Sequence, residues 1–128
     1  MFKIDTNSPP EDNDIVTFLK GIDFVLPKGF MEFFKVSNGA NVNSEMSYVS
    51  FWPLTDMIQL NKEYQVDEYA PKFFIIGSDG GDTAYAIEKT TGYIFEMPFI
   101  GMSNDEAVFK FKGLDDFLEY IKLGSSSK

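Results

Sequence analysis

Apolar residues along this chain switch between a helical and a strand period, and the switches mark out its elements. Ile15, Phe18, Leu19 and Ile22 keep helical spacing. Ser8-Pro9-Pro10-Glu11 reads as the start of that helix, with Ser8 as N-cap, Pro9 at the first helical position and Glu11 completing a capping box. Asp12 and Asp14 then fall near the positive end of the helix dipole, and Gly21 ends the segment. Leu26-Pro27 opens a second helix, whose Phe30, Phe33 and Phe34 share one face and pack in the core. Asn38-Gly39 stops it, because both residues tolerate left-handed backbone. Asn41-Val42-Asn43-Ser44 continues as a loop, and Met46 to Phe51 alternates loosely as a strand that Trp52-Pro53 breaks. Thr55 caps a short helix carrying Met57, Ile58 and Leu60 to about Tyr64, and Gln65 to Pro71 follows as a polar loop.

The clearest strand signal comes next. Phe73-Phe74-Ile75-Ile76 is a continuous apolar run, suited to a central strand covered on both faces. Ser78-Asp79-Gly80-Gly81-Asp82 is a turn. Thr83 to Glu88 then alternates, with Tyr85 and Ile87 on one face and Ala84 and Ala86 on the other. After a turn at Thr91-Gly92, Tyr93, Phe95 and Met97 alternate with Ile94 and Glu96, which predicts a three-stranded meander. Pro98 to Glu106 reads as a loop. Val108 to Lys112 is a further short strand, on which Phe109 and Phe111 share one face and Lys110 and Lys112 the exposed one. Leu114, Phe117, Leu118 and Ile121 form an amphipathic helix. The reading is one domain over residues 1–123, a disordered tail over 124–128, and an α+β fold: a twisted, mostly antiparallel sheet with helices near both termini packed on it.

Composition supports a core and narrows the chemistry. The 128 residues are 44% apolar and 16% aromatic, enough to fold without staples. With no cysteine and no histidine, disulfides, thiolate nucleophiles, sulfur-ligated zinc and histidine bases are all excluded. The N-terminal residues have no basic stretch leading into an apolar one, and no apolar run nears the roughly 18 residues that span a bilayer, which predicts a cytoplasmic location. The net charge is −9, and all 11 basic residues are lysine. Lacking arginine, the preferred fork for phosphate and base edges, the chain is not expected to bind nucleic acid, and its field repels anionic membranes while attracting cationic partners. Acidity that serves solubility alone is the plainer alternative.

The order of the pieces resembles the SUKH superfamily, also called Smi/Knr-like. Leu26-Pro27 before a Phe-rich helix, Asn38-Gly39, Trp52-Pro53-Leu54, a short helix with Asn61 and Tyr64, the Phe73 to Gly81 strand and turn, the Tyr85 strand, and a last helix of the Asp116-Phe117-Leu118 type carry the resemblance. It runs from about Ile15 to Ile121, and its strength lies in the ordered series, since Leu-Pro and Asn-Gly are common pairs. The resemblance implies a non-enzymatic protein-binding domain without a cofactor. Its bacterial members neutralise cognate toxins, many of them nucleases, by direct binding; its eukaryotic members are regulatory modules. It implies no catalytic residue set. The expectation is therefore an immunity protein whose partner is a toxin with a basic surface. A regulatory or scaffold module unrelated to toxins is the alternative, and a carboxylate-dependent hydrolase a third.

For the contact surface the candidates are Trp52, Asp67, Glu68, Asp79 and Asp82. Trp52 reads either as core at a strand end or as an anchor at the rim of a groove. Asp67 and Glu68 lie between Tyr64 and Tyr69 in an acidic–aromatic segment, and a solvated loop is the plainer reading. Asp79 and Asp82 flank Gly80-Gly81, a hairpin turn in which Asp bonds its own backbone. That turn lacks the alternating ligands and distal Glu of a calcium loop, so no metal site is expected. Nor does it show the Gly-x-Gly-x-x-Gly spacing of a phosphate cradle.

Overall fold

A strand without polar residues needs cover on both faces, and Phe73 to Ile76 are all buried. The structure is a computed structural model describing residues 3–43 and 48–126, with side chains through residue 122. Among the described residues seven strands form one antiparallel sheet in chain order: β1 (Lys3–Thr6), β2 (Ala40–Asn43), β3 (Tyr48–Phe51), β4 (Phe73–Ser78), β5 (Thr83–Glu88), β6 (Ile94–Pro98) and β7 (Val108–Phe111). The helices are α1 (Asp12–Lys20), α2 (Phe30–Phe34), α3 (Leu54–Glu63), α4 (Val66–Tyr69) and α5 (Leu114–Ser126). The fold class is the α+β arrangement expected.

Strand alternation splits the core in two. On one face Val42, Val49, Phe51, Phe74, Ile76, Tyr85, Ile87 and Ile94 meet Phe18, Phe30, Phe34, Leu54, Met57, Leu114, Phe117 and Ile121 from the helices. On the other, Phe73, Ile75, Ala84, Ala86 and Met97 meet Val66 and Ala70, at and just past α4, and Met102 of the loop after β6, with Phe95, Phe99 and Ala107 packed alongside. Half-buried Trp52 packs against both clusters. The second face is the thinner layer, and it carries the surface described below.

Several expectations change. Ser8 is not a helix cap: its carbonyl accepts from Asn38 N–H, and the Asn7 N–H is held by Ser37 Oγ and the Gly39 carbonyl. The chain is therefore still paired beside the Ser37–Gly39 loop there, and α1 begins only past Pro10, where Asp14 Oδ2 accepts from Glu11 N–H at 3.0 Å. Thr55 is not the cap of α3. That role falls to Asn38, whose Oδ1 accepts from Thr55 N–H at 3.3 Å while its Nδ2 donates to Thr55 Oγ1 at 3.2 Å. Asn41 to Asn43, expected as loop, belong to β2, where Ala40 and Val42 turn inward opposite Phe51 and Val49. Ser44, Met46 and Ser47 of the neighbouring expectations lie outside the described residues. The polar loop over 65–71 contains α4, because Val66 and Ala70, four apart, are both buried against β4. Gly124 to Ser126, expected as tail, continue α5 from an apolar face anchored at Leu114, Phe117 and Ile121, since adding a residue to a formed helix is easier than starting one; Ser127 and Lys128 lie outside the described residues.

The alternation over β7 also misleads. The β6–β7 register slips between Ile94 and Phe95, which pair with Phe111 and Phe109. The extra residue of this bulge turns the two phenylalanines to opposite faces. Phe111 stacks on Phe117 of α5 at 4.8 Å, and Phe109 meets Phe95 at 5.7 Å on the other side.

Tyr85 carries a pH-dependent share of stability. Burial, reinforced by the negative charges of Glu96 and Asp79, pushes its phenol up to about 12 from the ordinary 10. The folded state holds the proton longer than the unfolded chain does. The stabilisation is therefore complete below pH 10 and disappears as pH rises through 12, a loss of about 2–3 kcal/mol. Urea denaturation of the wild type and Tyr85→Phe should run parallel below pH 10 and diverge above it, the wild type falling faster. Parallel curves up to pH 12 would show that the phenol ionises equally well in both states.

Candidate partner-binding surface

The surface grows from the end of β3. Trp52 donates its backbone N–H to the Ile76 carbonyl at 2.9 Å, which fixes its position on the thinner side of the sheet. Its ring lies 5.9 Å from Tyr64 at an interplanar angle of 15°, and 6.4 Å from Phe99 at 22°. Tyr64 and Phe99 close the group at 4.8 Å. Tyr64 is the residue that ends α3, and Phe99 leads the loop after β6. Three distant segments thus contribute one ring each.

Beside this group Tyr64, Tyr69, Phe99, Gly101 and Met102 line a cleft of about 340 Å³. Tyr64 is 44% exposed, Tyr69 50% and Ile100, at the tip of the loop, 87%. Ile100 therefore keeps most of its apolar surface in water. Acidic residues flank the patch along the chain: Glu63 just before Tyr64, Glu68 just before Tyr69, and Asp105 and Glu106 after Met102, all exposed.

The five residues singled out from sequence are only partly brought together. Trp52 belongs to the ring group. Asp82 is tied to it, because its carbonyl accepts from Phe99 N–H at 3.0 Å. Asp79 shares the β4–β5 turn with Asp82, but its Oδ1 is engaged internally, accepting from Gly81 N–H at 2.8 Å and Thr83 N–H at 3.3 Å. It is a turn-forming residue. Glu68 is exposed next to Tyr69. Asp67 stands apart: it pairs with Lys89 Nζ at 3.2 Å and lines a different cleft, between Ile22, Phe24, Ile58 and Phe74.

Sequence reasoning left Tyr64 and Tyr69 undecided and passed over Phe99, Ile100 and Met102. A signal was available. Phe99-Ile100-Gly101-Met102 places three apolar residues in a loop segment with neither period, and loops carry binding residues more often than regular elements do. Among the described residues, no group of three acidic side chains could hold a metal ion. No helix among them is long and apolar enough to cross a membrane.

The patch presents large, rigid rings at the surface. No curated protein matches the chain. The SMI1 / KNR4 family (SUKH-1) matches residues 9–120, from the approach to α1 into α5 and across every strand except β1. By that match over most of its length, the chain belongs to the SMI1 / KNR4 family, SUKH-1.

Proposed function

We propose that this protein is a binding domain of the immunity type, which neutralises a cognate toxin in the cytoplasm by seating it on the Trp52–Tyr64–Phe99 surface. The observation that carries the reading is a half-exposed stack of three rings beside an open cleft, on a chain of net charge −9. Membership of the family favours a protein partner. The charge favours a basic one, such as a nuclease with a cationic cleft for phosphate. Long-range attraction then raises the encounter rate, and the aromatic anchors slow dissociation. Of the acids, Asp82 and Glu68 are the proposed rim contacts, Asp79 contributes through its turn, and Asp67 assists only by charge.

Trp52, the single tryptophan, reports on this surface by its own fluorescence. Titration with the products of neighbouring genes should give a shift with a toxin-like neighbour, with association slowing as salt rises. Ile100→Lys is expected to weaken that complex at least about tenfold. Val36→Lys, equally cationic at a site 59% exposed beyond α2, should leave it within about twofold. Equal losses at the two sites would remove this surface from the reading. A toxin-like neighbour that binds no tighter than an unrelated basic protein would remove the immunity role.

A further inference from the structure

We infer that the cleft between Tyr64, Tyr69 and Phe99 seats an arginine side chain of the docked partner. The inference rests on reading this surface as a docking site, and it specifies the group that enters. Its walls come from three aromatic residues, Met102 and Gly101. Gly101 has φ +79, and a Cβ built there meets nothing within 4 Å, so one wall is bare backbone facing open space. None of the lining residues is charged. Glu63, Glu68, Asp105 and Glu106 flank the cleft along the chain and Asp82 is joined to Phe99, against Lys62 and Lys72 as the nearby cations in sequence.

An uncharged, ring-bearing cleft, lined about equally by polar and apolar surface, in an acidic setting discriminates by charge. A leucine or methionine of the partner would fill it but gain nothing from the carboxylates. An aspartate or glutamate would be repelled. A long cation uses both parts: its aliphatic stem packs on the rings while its head lies over a tyrosine face. Arginine is favoured over lysine because a planar, weakly hydrated guanidinium stacks on a ring and still directs its N–H groups at carboxylates beyond the rim. The volume of about 340 Å³ leaves room for one such side chain. Tyr69 is half exposed at the end of α4, so its ring is free to be covered on binding.

The test uses the intact chain and three capped tripeptides, Gly-Xaa-Gly, in which Xaa is arginine, citrulline or norleucine. Citrulline keeps the shape of arginine and loses its charge; norleucine keeps only the stem. Backbone amide shifts are followed by NMR. The arginine peptide should move the amides of residues 64, 69, 99, 101 and 102 saturably, with a dissociation constant on the order of 1–10 mM. Citrulline and norleucine should be at least about fivefold weaker. Tyr69→Phe should retain the response, and Tyr69→Leu, which keeps apolar bulk without the π face, should lose it. Norleucine binding as well as arginine would overturn the inference in favour of an apolar anchor. So would arginine-induced shifts scattered over the acidic surface, or the lack of any saturable shift in the cleft. This failure is distinguishable from failure of the proposed function. A toxin bound at Ile100 while the arginine peptide finds no cleft leaves the docking surface standing and removes only its occupant. A cleft that takes arginine in a protein that binds no toxin removes the immunity role and keeps the site.

Discussion

Replacing Asn61 by alanine is expected to lower the free energy of unfolding by about 4 kcal/mol, one of the largest single losses open to this chain. Asn61 sits on α3, 8% exposed, with every polar atom of its side chain engaged. Its Oδ1 accepts from Ile75 N–H at 2.7 Å, and its Nδ2 donates to the Ile75 carbonyl at 2.9 Å and to the Met57 carbonyl at 2.8 Å. The Ile75 groups need this partner for a topological reason. β4 is paired with β3 only at Ser78 and Gly77, and Ile76 is served by Trp52 N–H. Among the described residues no strand lies beside that edge of β4 from Ile75 back to Phe73, and the carboxamide of Asn61 stands in for a backbone. Alanine leaves a buried N–H and a buried C=O with neither protein nor water, each at about 1–3 kcal/mol. For a domain of this size the loss lowers Tm by roughly 15 °C. Asn61→Asp keeps the acceptor but has no donor and adds a charge, so at pH 7 it should be at least as damaging. Thermal unfolding followed by circular dichroism checks both; a drop below about 1 kcal/mol for alanine would mean that water reaches Ile75.

The same logic explains what was legible in the sequence. Asn38-Gly39 and the helix with Asn61 carry part of the family resemblance, and in the structure they satisfy backbone groups that no strand or helix reaches. Asn38 caps α3 from 17 residues away, and Asn61 completes β4 from 14 away. Residues of this kind specify a fold through backbone groups that they satisfy. The central strand, the Tyr85 strand with its two-sided alternation, and the Phe-rich helix were readable because burial imposes a period on them. β1 was not, since Lys3 to Thr6 are exposed throughout and an edge strand needs no apolar side chain. Nor was the β7 bulge, which reverses Phe109 against Phe111 through pairing that local alternation does not encode. Trp52 was found as a candidate anchor because a lone tryptophan draws attention. Its companions Tyr64 and Phe99 were not, because 35 positions separate them and only the fold stacks their rings. Asp67 adjoins the same tyrosines in sequence, but α4 places it at another cleft, beside Lys89.

Gly39→Ala should be about as damaging as the loss of Asn61, and Gly101→Ala serves as its control. Both glycines adopt positive φ, +85 at Gly39 and +79 at Gly101, where an added Cβ costs on the order of 1 kcal/mol through backbone strain alone. Their surroundings differ. At Gly101 a Cβ meets nothing within 4 Å, so strain is the whole effect. At Gly39 it would lie 2.8 Å from the Phe51 carbonyl oxygen, 2.8 Å from Pro53 N and 3.0 Å from Pro53 Cα. None of these is the end of a flexible side chain. The first belongs to the strand paired with β2 at Ala40, and the others to the proline that leads into α3. Relief requires β2 and β3 to separate or α3 to move from its Asn38 cap, and either exposes buried Val42, Phe51 or Leu54. The expected loss is about 3–5 kcal/mol at Gly39 against about 1 kcal/mol at Gly101. Urea midpoints of the two variants measure the difference, which isolates the close approach of three backbone segments from the strain common to both positions. If the two alanine variants lost equal stability, the junction of β2, β3 and α3 would have slack that its distances deny. Gly101→Ala also borders the proposed cleft, so it should alter arginine binding at nearly full stability, whereas Gly39→Ala should lose stability first and binding only as a consequence.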